Sequence, residues 1–161
     1  MNIHLGYRPG CIGRITELHV SFYSRAVDFG APFEAKVAAE LAQFCLHYAS
    51  ERDGLWLAEE DGTIHGSIAI DGSRYQESGA HLRWFITSEQ SRGKGLGSKL
   101  LNAAMAFCRA NGYQRVYLWT FDELHAARHL YEEQGFRLSR SQRGSQWGKE
   151  VNEQLFTLGD A

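Results

Sequence analysis

The seven residues Arg92-Gly93-Lys94-Gly95-Leu96-Gly97-Ser98 constrain this chain more than any other stretch. Before them, Ala80 to Thr87 reads as a strand. After them, Leu96, Leu100, Leu101, Ala104, Phe107 and Cys108 form an apolar stripe at helical spacing. The chain must therefore pass from sheet to helix through a loop with glycine at every second position. Glycine lets the backbone turn sharply and lets a ligand come close to it. The start of the following helix leaves several N–H groups without internal partners, at the positive end of the helix dipole. Such a place suits phosphate oxygens, and Arg92 and Lys94 add positive charge at its rim. Two familiar phosphate loops do not fit. The G-x-x-x-x-G-K-[ST] pattern is absent, and the glycine spacing is G-x-G-x-G where a dinucleotide fingerprint needs G-x-G-x-x-G.

The rest of the chain alternates between the two periods. Ile3 to Tyr7 reads as a short strand, ended by Arg8-Pro9-Gly10. Ile12 to Val27 carries an apolar helix face, with His19 among its members. Pro32 suits the first turn of a second helix reaching about Tyr48. Leu55 to Ala58 and Thr63 to Ile70 read as a hairpin around Glu60-Asp61-Gly62. The glycine-rich loop opens a helix over Ser98 to Ala110, closed by Asn111-Gly112. Val116 to Trp119 is a buried strand and Leu124 to Gln134 a helix. Phe136 to Leu138 starts a strand, Ser139 to Glu150 reads as a polar loop or hairpin tip, and Val151 to Leu158 is the last strand. The expected fold is α/β (α+β): a mixed, mostly antiparallel sheet of about seven strands flanked by four helices, in one domain over residues 1–161.

Composition narrows the function classes. A formal charge of −2 gives no reason to expect nucleic-acid binding or attraction to an anionic membrane. Cys11, Cys45 and Cys108 lie far apart with no C-x-x-C spacing. They read as packed thiols, not as a disulfide framework or metal site. No secretory leader pattern opens the chain and no apolar run reaches the roughly 20 residues of a membrane span. A cytoplasmic protein with no metal is the expectation.

The spacing Arg92-x-x-Gly95-x-Gly97 resembles the acyl-CoA pyrophosphate loop of the GCN5-related N-acetyltransferases, the GNAT superfamily. The resemblance runs from Leu82 to Phe136. Trp84-Phe85-Ile86-Thr87 looks like that family's splayed fourth strand, and Ser98-Lys99-Leu100-Leu101-Asn102-Ala103-Ala104 like its next helix. Val116-Tyr117-Leu118-Trp119 is similar to its fifth strand. Ala127-Arg128-His129-Leu130-Tyr131-Glu132-Glu133-Gln134-Gly135-Phe136 is close to its A-x-x-L-Y-E-x-x-G-F signature. Leu82-Arg83-Trp84-Phe85, Leu118-Trp119-Thr120 and Trp147-Gly148-Lys149-Glu150-Val151 further resemble GNAT domains fused to MarR-type regulators in bacteria. No helix-turn-helix pattern precedes the domain, so only the acetyltransferase part is expected.

The resemblance implies a set of site residues. Arg92, Gly93, Lys94, Gly95, Gly97 and Ser98 would hold the pyrophosphate of acetyl-CoA, the acyl donor. Backbone groups of Phe85, Ile86 and Thr87 would pair with the pantetheine arm, and an amide near Phe85 or Ile86 would polarise the thioester carbonyl. Tyr131 would protonate the leaving thiolate. Many members carry Glu eleven residues before the loop arginine; here that residue is His81, either a base or an ordinary surface or substrate-contacting histidine. An asparagine of the family is replaced by Leu124, with Asp122 as the candidate substitute. Tyr23, Asp28, Phe33, Glu34, Trp119 and Trp147 are the candidates for the acceptor side, with Asp28 or Glu34 pairing a cationic amine. The implied activity is transfer of an acetyl group from acetyl-CoA to a primary amine by direct attack. The alternative is a non-catalytic acyl-CoA sensor. Homodimerisation is implied by the resemblance alone.

Overall fold

The structure is a computed structural model and describes residues 1–122 and 124–159. Seven strands form one sheet: β1 (Asn2–Leu5), β2 (Gly54–Glu60), β3 (Thr63–Asp71), β4 (Ala80–Thr87), β5 (Val116–Phe121), β6 (Arg137–Gly144) and β7 (Val151–Leu158). Five helices join them: α1 (Cys11–Val27), α2 (Ala31–Leu46), α3 (Tyr75–Ser78), α4 (Leu96–Ala110) and α5 (His125–Glu133). The strand order is β1-β2-β3-β4-β5-β7-β6. Among the described residues only β4 and β5 run parallel. That is the pair joined through α4, and a parallel pair needs such a crossover.

The central strands are apolar on both sides because the sheet has a core on each face. Trp56, Ala58, Ile68 and Ile70 pack with Leu100, Leu101 and Ala104 of α4 and Tyr131 of α5. Their neighbours Leu55, Leu57 and Ala69 point the other way, to Ile15 of α1 and Phe33, Val37 and Leu41 of α2. This is why β2 shows an unbroken apolar run and not a strict alternation.

Two departures from the expected elements stand out. Strand β6 continues to Gly144 through residues expected to be a loop. It is an edge strand with nearly every residue exposed, so no hydrophobic period marks it. The four-residue α3 adds a fifth helix, too short for any periodic pattern.

The feature that positions the site is the parting of β4 from β5. They pair only at Ala80↔Val116 and His81↔Tyr117. Beyond that point β4 bends. Ala69 and Ser67 of β3 face Arg83 and Ile86, so Trp84 and Phe85 on β4 oppose a single residue on β3. Trp84 takes φ 49 in the left-handed region, a cost of order 1–3 kcal/mol for a bulky residue. The bulge is held by Ser67 Oγ–H donating to the Trp84 carbonyl (2.7 Å) and by the Trp84 ring, which packs 5.4 Å from Phe44. A β-bulge re-aims the chain; here the β5-facing edge of β4 is left open from Leu82 onward.

Candidate functional site

Two clefts lie along that opening. The larger, of 670 Å³, runs between β4, the glycine-rich loop and the start of α5. Phe85, Ile86 and Thr87 form one wall, Arg92, Gly93, Gly95, Gly97 and Ser98 its end, and Leu124 to Ala127 with Leu130 the other wall. Gly93 and Gly95 both have φ 76, which only glycine adopts without strain. Gly95 is the N-cap of α4, and no side chain among the described residues caps it. The first bond of the helix runs from Lys99 N–H to the Gly95 carbonyl (3.1 Å). The N–H groups of Leu96, Gly97 and Ser98 therefore have no partner inside α4. Gly97 is glycine for another reason: a Cβ there would lie 3.3 Å from Leu130 and 3.5 Å from Phe85. Arg92 is anchored to α1, its guanidinium 4.7 Å above the Phe22 ring. The Arg25–Glu89 ion pair, at 3.1 Å, makes a second tie between α1 and the loop.

The smaller cleft, of 340 Å³, lies between the parted strands and the helices α1 and α2. The two share Tyr23 and Phe85. Its walls are aromatic: Tyr23, Phe33, Trp119, Phe121 and Trp147. Tyr131 enters from α5, 6% exposed, with its ring 5.9 Å from Phe85. Its hydroxyl has no hydrogen-bond partner among the described residues, and Tyr131 is part of the cleft lining. Burial, and then the neighbouring Tyr23, push its pKa well above the usual phenol value. Burial likewise pushes Tyr23 up to about 12. Both remain protonated donors at neutral pH.

Charge collects at one side of this cleft. Glu40 accepts from Lys36 Nζ (2.6 Å) and from the Arg83 guanidinium. Burial raises the Glu40 pKa, but the two cations more than offset it and hold it below the usual value. His81 lies beside them, its ring stacked on Tyr117 at 4.4 Å. Burial first, then Arg83 and Lys36, lower it to about 3, so this imidazole is neutral at pH 7. Among the described residues no group of three or more His, Cys, Asp or Glu is placed to hold a metal, and no helix is long and apolar enough to cross a membrane.

Residues 13–136 match the sequence model of the Acetyltransferase (GNAT) family. The chain belongs to this family. N-acetyltransferase family 8 member 2 of Rattus norvegicus is 31% identical over 102 residues, covering 62% of this chain and 45% of that one. The match thus spans under half the length of that relative. The acetyltransferase of Streptococcus agalactiae superposes with a TM-score of 0.75 at 21% identity, over 97% of both chains. A GNAT family acetyltransferase from Elizabethkingia anophelis, with acetyl-CoA bound, superposes with a TM-score of 0.68 at 16% identity, over 98% of this chain and 97% of that one. At these identities the likeness is one of fold.

Within this GNAT fold most of the expected residues come together. Phe85, Ile86, Thr87, Arg92, Gly93, Gly95, Gly97 and Ser98 all border the larger cleft, and Tyr131 and His81 the smaller. Lys94 is exposed and stands outside the lining. Leu124 borders the larger cleft as an apolar wall. Asp122 does not substitute there: it is exposed and meets Asn152 Nδ2 at 3.5 Å. On the acceptor side Tyr23, Phe33, Trp119 and Trp147 line the cleft, whereas Asp28 and Glu34 are exposed and do not. The carboxylate in the cleft is Glu40, and sequence reasoning missed it together with Lys36, Arg83 and His19. A signal was present. Phe33, Lys36, Val37 and Glu40 recur at three- and four-residue steps, so all share one face of α2.

Proposed function

We propose that this protein is an N-acetyltransferase that carries the acetyl group of acetyl-CoA directly to a primary amine. The observation that carries the reading is the meeting of the two clefts at Phe85 and Tyr23. One cleft ends on helix N–H groups, and the other holds a tyrosine hydroxyl between aromatic walls, both without partners among the described residues. The CoA diphosphate sits against the amides of Gly93, Gly95, Gly97 and Ser98 at the positive end of α4, with Arg92 and Lys94 adding charge. The pantetheine arm pairs with the open edge of β4 at Phe85, Ile86 and Thr87, as an added strand would. An amide at Phe85 or Ile86 then donates to the thioester carbonyl as it gains negative charge.

The amine attacks that carbonyl from the smaller cleft. As the C–S bond breaks, the Tyr131 hydroxyl gives its proton to the CoA sulfur. His81, neutral at pH 7, accepts the proton that the ammonium sheds. It lies four residues before Phe85 on a strand that bends at Trp84, so cleft water carries that proton. A non-catalytic acyl-CoA sensor would account for the larger cleft but would leave the Tyr131 hydroxyl without a task.

The likeness of Leu82-Arg83-Trp84-Phe85 to MarR-linked domains supports reading this chain as the acetyltransferase part of such a system. We place it in the cytoplasm, where acetyl-CoA is made and thiols such as its three free cysteines stay reduced. A homodimer belongs to the same reading.

Calorimetry with acetyl-CoA and thiol release across amino acids, polyamines, aminoglycosides and peptides test the proposal together. Tight binding with acceptor-dependent thiol release is expected, and Tyr131→Phe should lower turnover about a hundredfold while leaving the acetyl-CoA Kd within about twofold. Absence of binding ends the proposal. Binding without turnover across the panel turns it into the sensor reading.

A further inference from the structure

His19 faces the reaction space from α1, and no motif marks it. It stands one helical turn before Tyr23, the two rings stacked 6.0 Å apart. Tyr23 belongs to the junction of the two clefts, and His19 to the smaller one. The imidazole is 6% exposed. Its Nδ1 lies 2.8 Å from the Ile15 carbonyl oxygen, which only accepts hydrogen bonds, so Nδ1 carries the ring hydrogen. Nε2 is therefore a bare lone pair. Among the described residues Nε2 has no hydrogen-bond partner, and His19 is part of the cleft lining. A buried imidazole with a fixed tautomer and one free acceptor nitrogen is built to receive an N–H.

Its surroundings point to an amine. Tyr23, Tyr131 and Thr120 line the same cleft with hydroxyls, and none of them is hydrogen-bonded to His19 among the described residues. Lys36 and Arg83 are engaged with Glu40. His81 stands beside those cations, toward the far end of β4 from Phe85, whereas His19 is stacked on a junction residue.

We propose that His19 Nε2 receives first the hydrogen bond and then the proton of the acceptor amine, which makes His19 a catalytic residue of the transfer. This rests on the acetyltransferase reading above, and it moves the first acceptance of the proton from His81 to His19. The balance is simple. The ammonium loses one proton to Nε2, the N–C bond forms, and the C–S bond breaks. The thiolate takes the Tyr131 proton, and the second proton of the nitrogen restores Tyr131 through cleft water. The proton on His19 leaves to cleft water and solvent. One acetyl-CoA and one ammonium give one amide, one CoA thiol and one released proton.

The test compares two nucleophiles in the thiol-release assay at pH 7, with the uncatalysed rate subtracted. n-Butylamine arrives as an ammonium ion; hydroxylamine arrives neutral and has no proton to shed before attack. His19→Asn keeps a donor toward the Ile15 carbonyl and removes the basic nitrogen. Its kcat with butylamine should fall about a hundredfold and with hydroxylamine less than tenfold, with acetyl-CoA affinity unchanged by calorimetry. An unchanged butylamine rate, or equal losses with both nucleophiles, overturns the role. If the wild-type protein binds acetyl-CoA but releases no thiol with either nucleophile or with any amine of the panel above, the acetyltransferase reading itself has failed. Nitrogen-15 spectra of the wild-type histidines decide the matter without any variant: hydrogen on His19 Nε2 at pH 7 rules the proposal out.

Discussion

At the scale of single residues, His19 shows how burial sets chemistry. The unfolded chain holds this imidazole near its ordinary pKa of 6.5; in the fold, burial lowers it to about 4, although its bond to Ile15 works the other way. Between those values the unfolded chain binds the proton more readily, so acid favours unfolding. The contribution of His19 is complete above pH 6.5 and drains away as pH falls toward 4. By pH 4.5 the loss should amount to about 2–3 kcal/mol, since each tenfold difference in proton affinity between the two states is worth roughly 1.4 kcal/mol. His81 adds in the same direction, since burial and then Arg83 and Lys36 lower it to about 3. Urea denaturation at pH 7 and 4.5 checks this. The wild-type midpoint should fall more steeply with pH than that of His19→Asn, and parallel curves would show that His19 titrates alike in both states. None of this was legible in the sequence, where His19 is one more position on an apolar helix face. Its place opposite β4 depends on how α1 lies over the sheet. Cys11 and Cys45 are hidden in the same way. They lie 34 positions apart, yet the neighbouring Cys45 thiol on α2 holds Cys11 below the usual thiol range.

Elements carry the part of the site that the sequence does reveal. Strand β4 has the expected bounds, Ala80–Thr87, and alternates buried and half-buried residues along its whole length despite the bulge. The loop is legible because its chemistry is local. Glycine at 93 and 95 answers a backbone need, and α4 starts at once after it. Beyond Leu138, strand β6 was illegible because Ser139, Arg140, Ser141 and Arg143 leave it no apolar face. The Lys36–Glu40–Arg83 cluster joins α2 to β4 across 43 residues, which no spacing rule reaches. The loop supports a specific prediction. A Cβ at Gly95 meets nothing within 4 Å, so any penalty there comes from its φ of 76 alone. Gly95→Ala should cost about 1–2 kcal/mol of stability and weaken acetyl-CoA binding about tenfold, because the helix N–H groups lose their common aim. Gly95→Asn, which tolerates the left-handed region, should recover most of both. Calorimetry and urea denaturation separate the cases; equal defects in Ala and Asn would mean that the backbone angle is not what the loop requires.

For the whole molecule, the decisive fact is that two halves of one sheet touch at β4 and β5 through only two residue pairs. On one side stand β1 to β3, and on the other β7 and β6. Strands β6 and β7, and strands β1 to β3, pair along their shared edges. The β5-facing edge of β4 beyond His81 does not, and it stays wet until something pairs with it. A ligand lying there completes the sheet locally and contacts β4, α4 and α5 at once, so its binding should be felt as order in those elements. Amide hydrogen exchange with and without CoA tests this. Protection should rise at Phe85 to Thr87, at Leu96 to Ser98 and along the start of α5, as local opening is suppressed by binding. Exchange in β6 and in the β1–β2 pair should stay as it was, because those hydrogen bonds neither border the clefts nor depend on the opening. Uniform protection across the sheet would mean that CoA acts only through global stability. Protection confined to α4 would mean that the diphosphate is held but the arm does not lie along β4, and the opening between the strands would need another occupant.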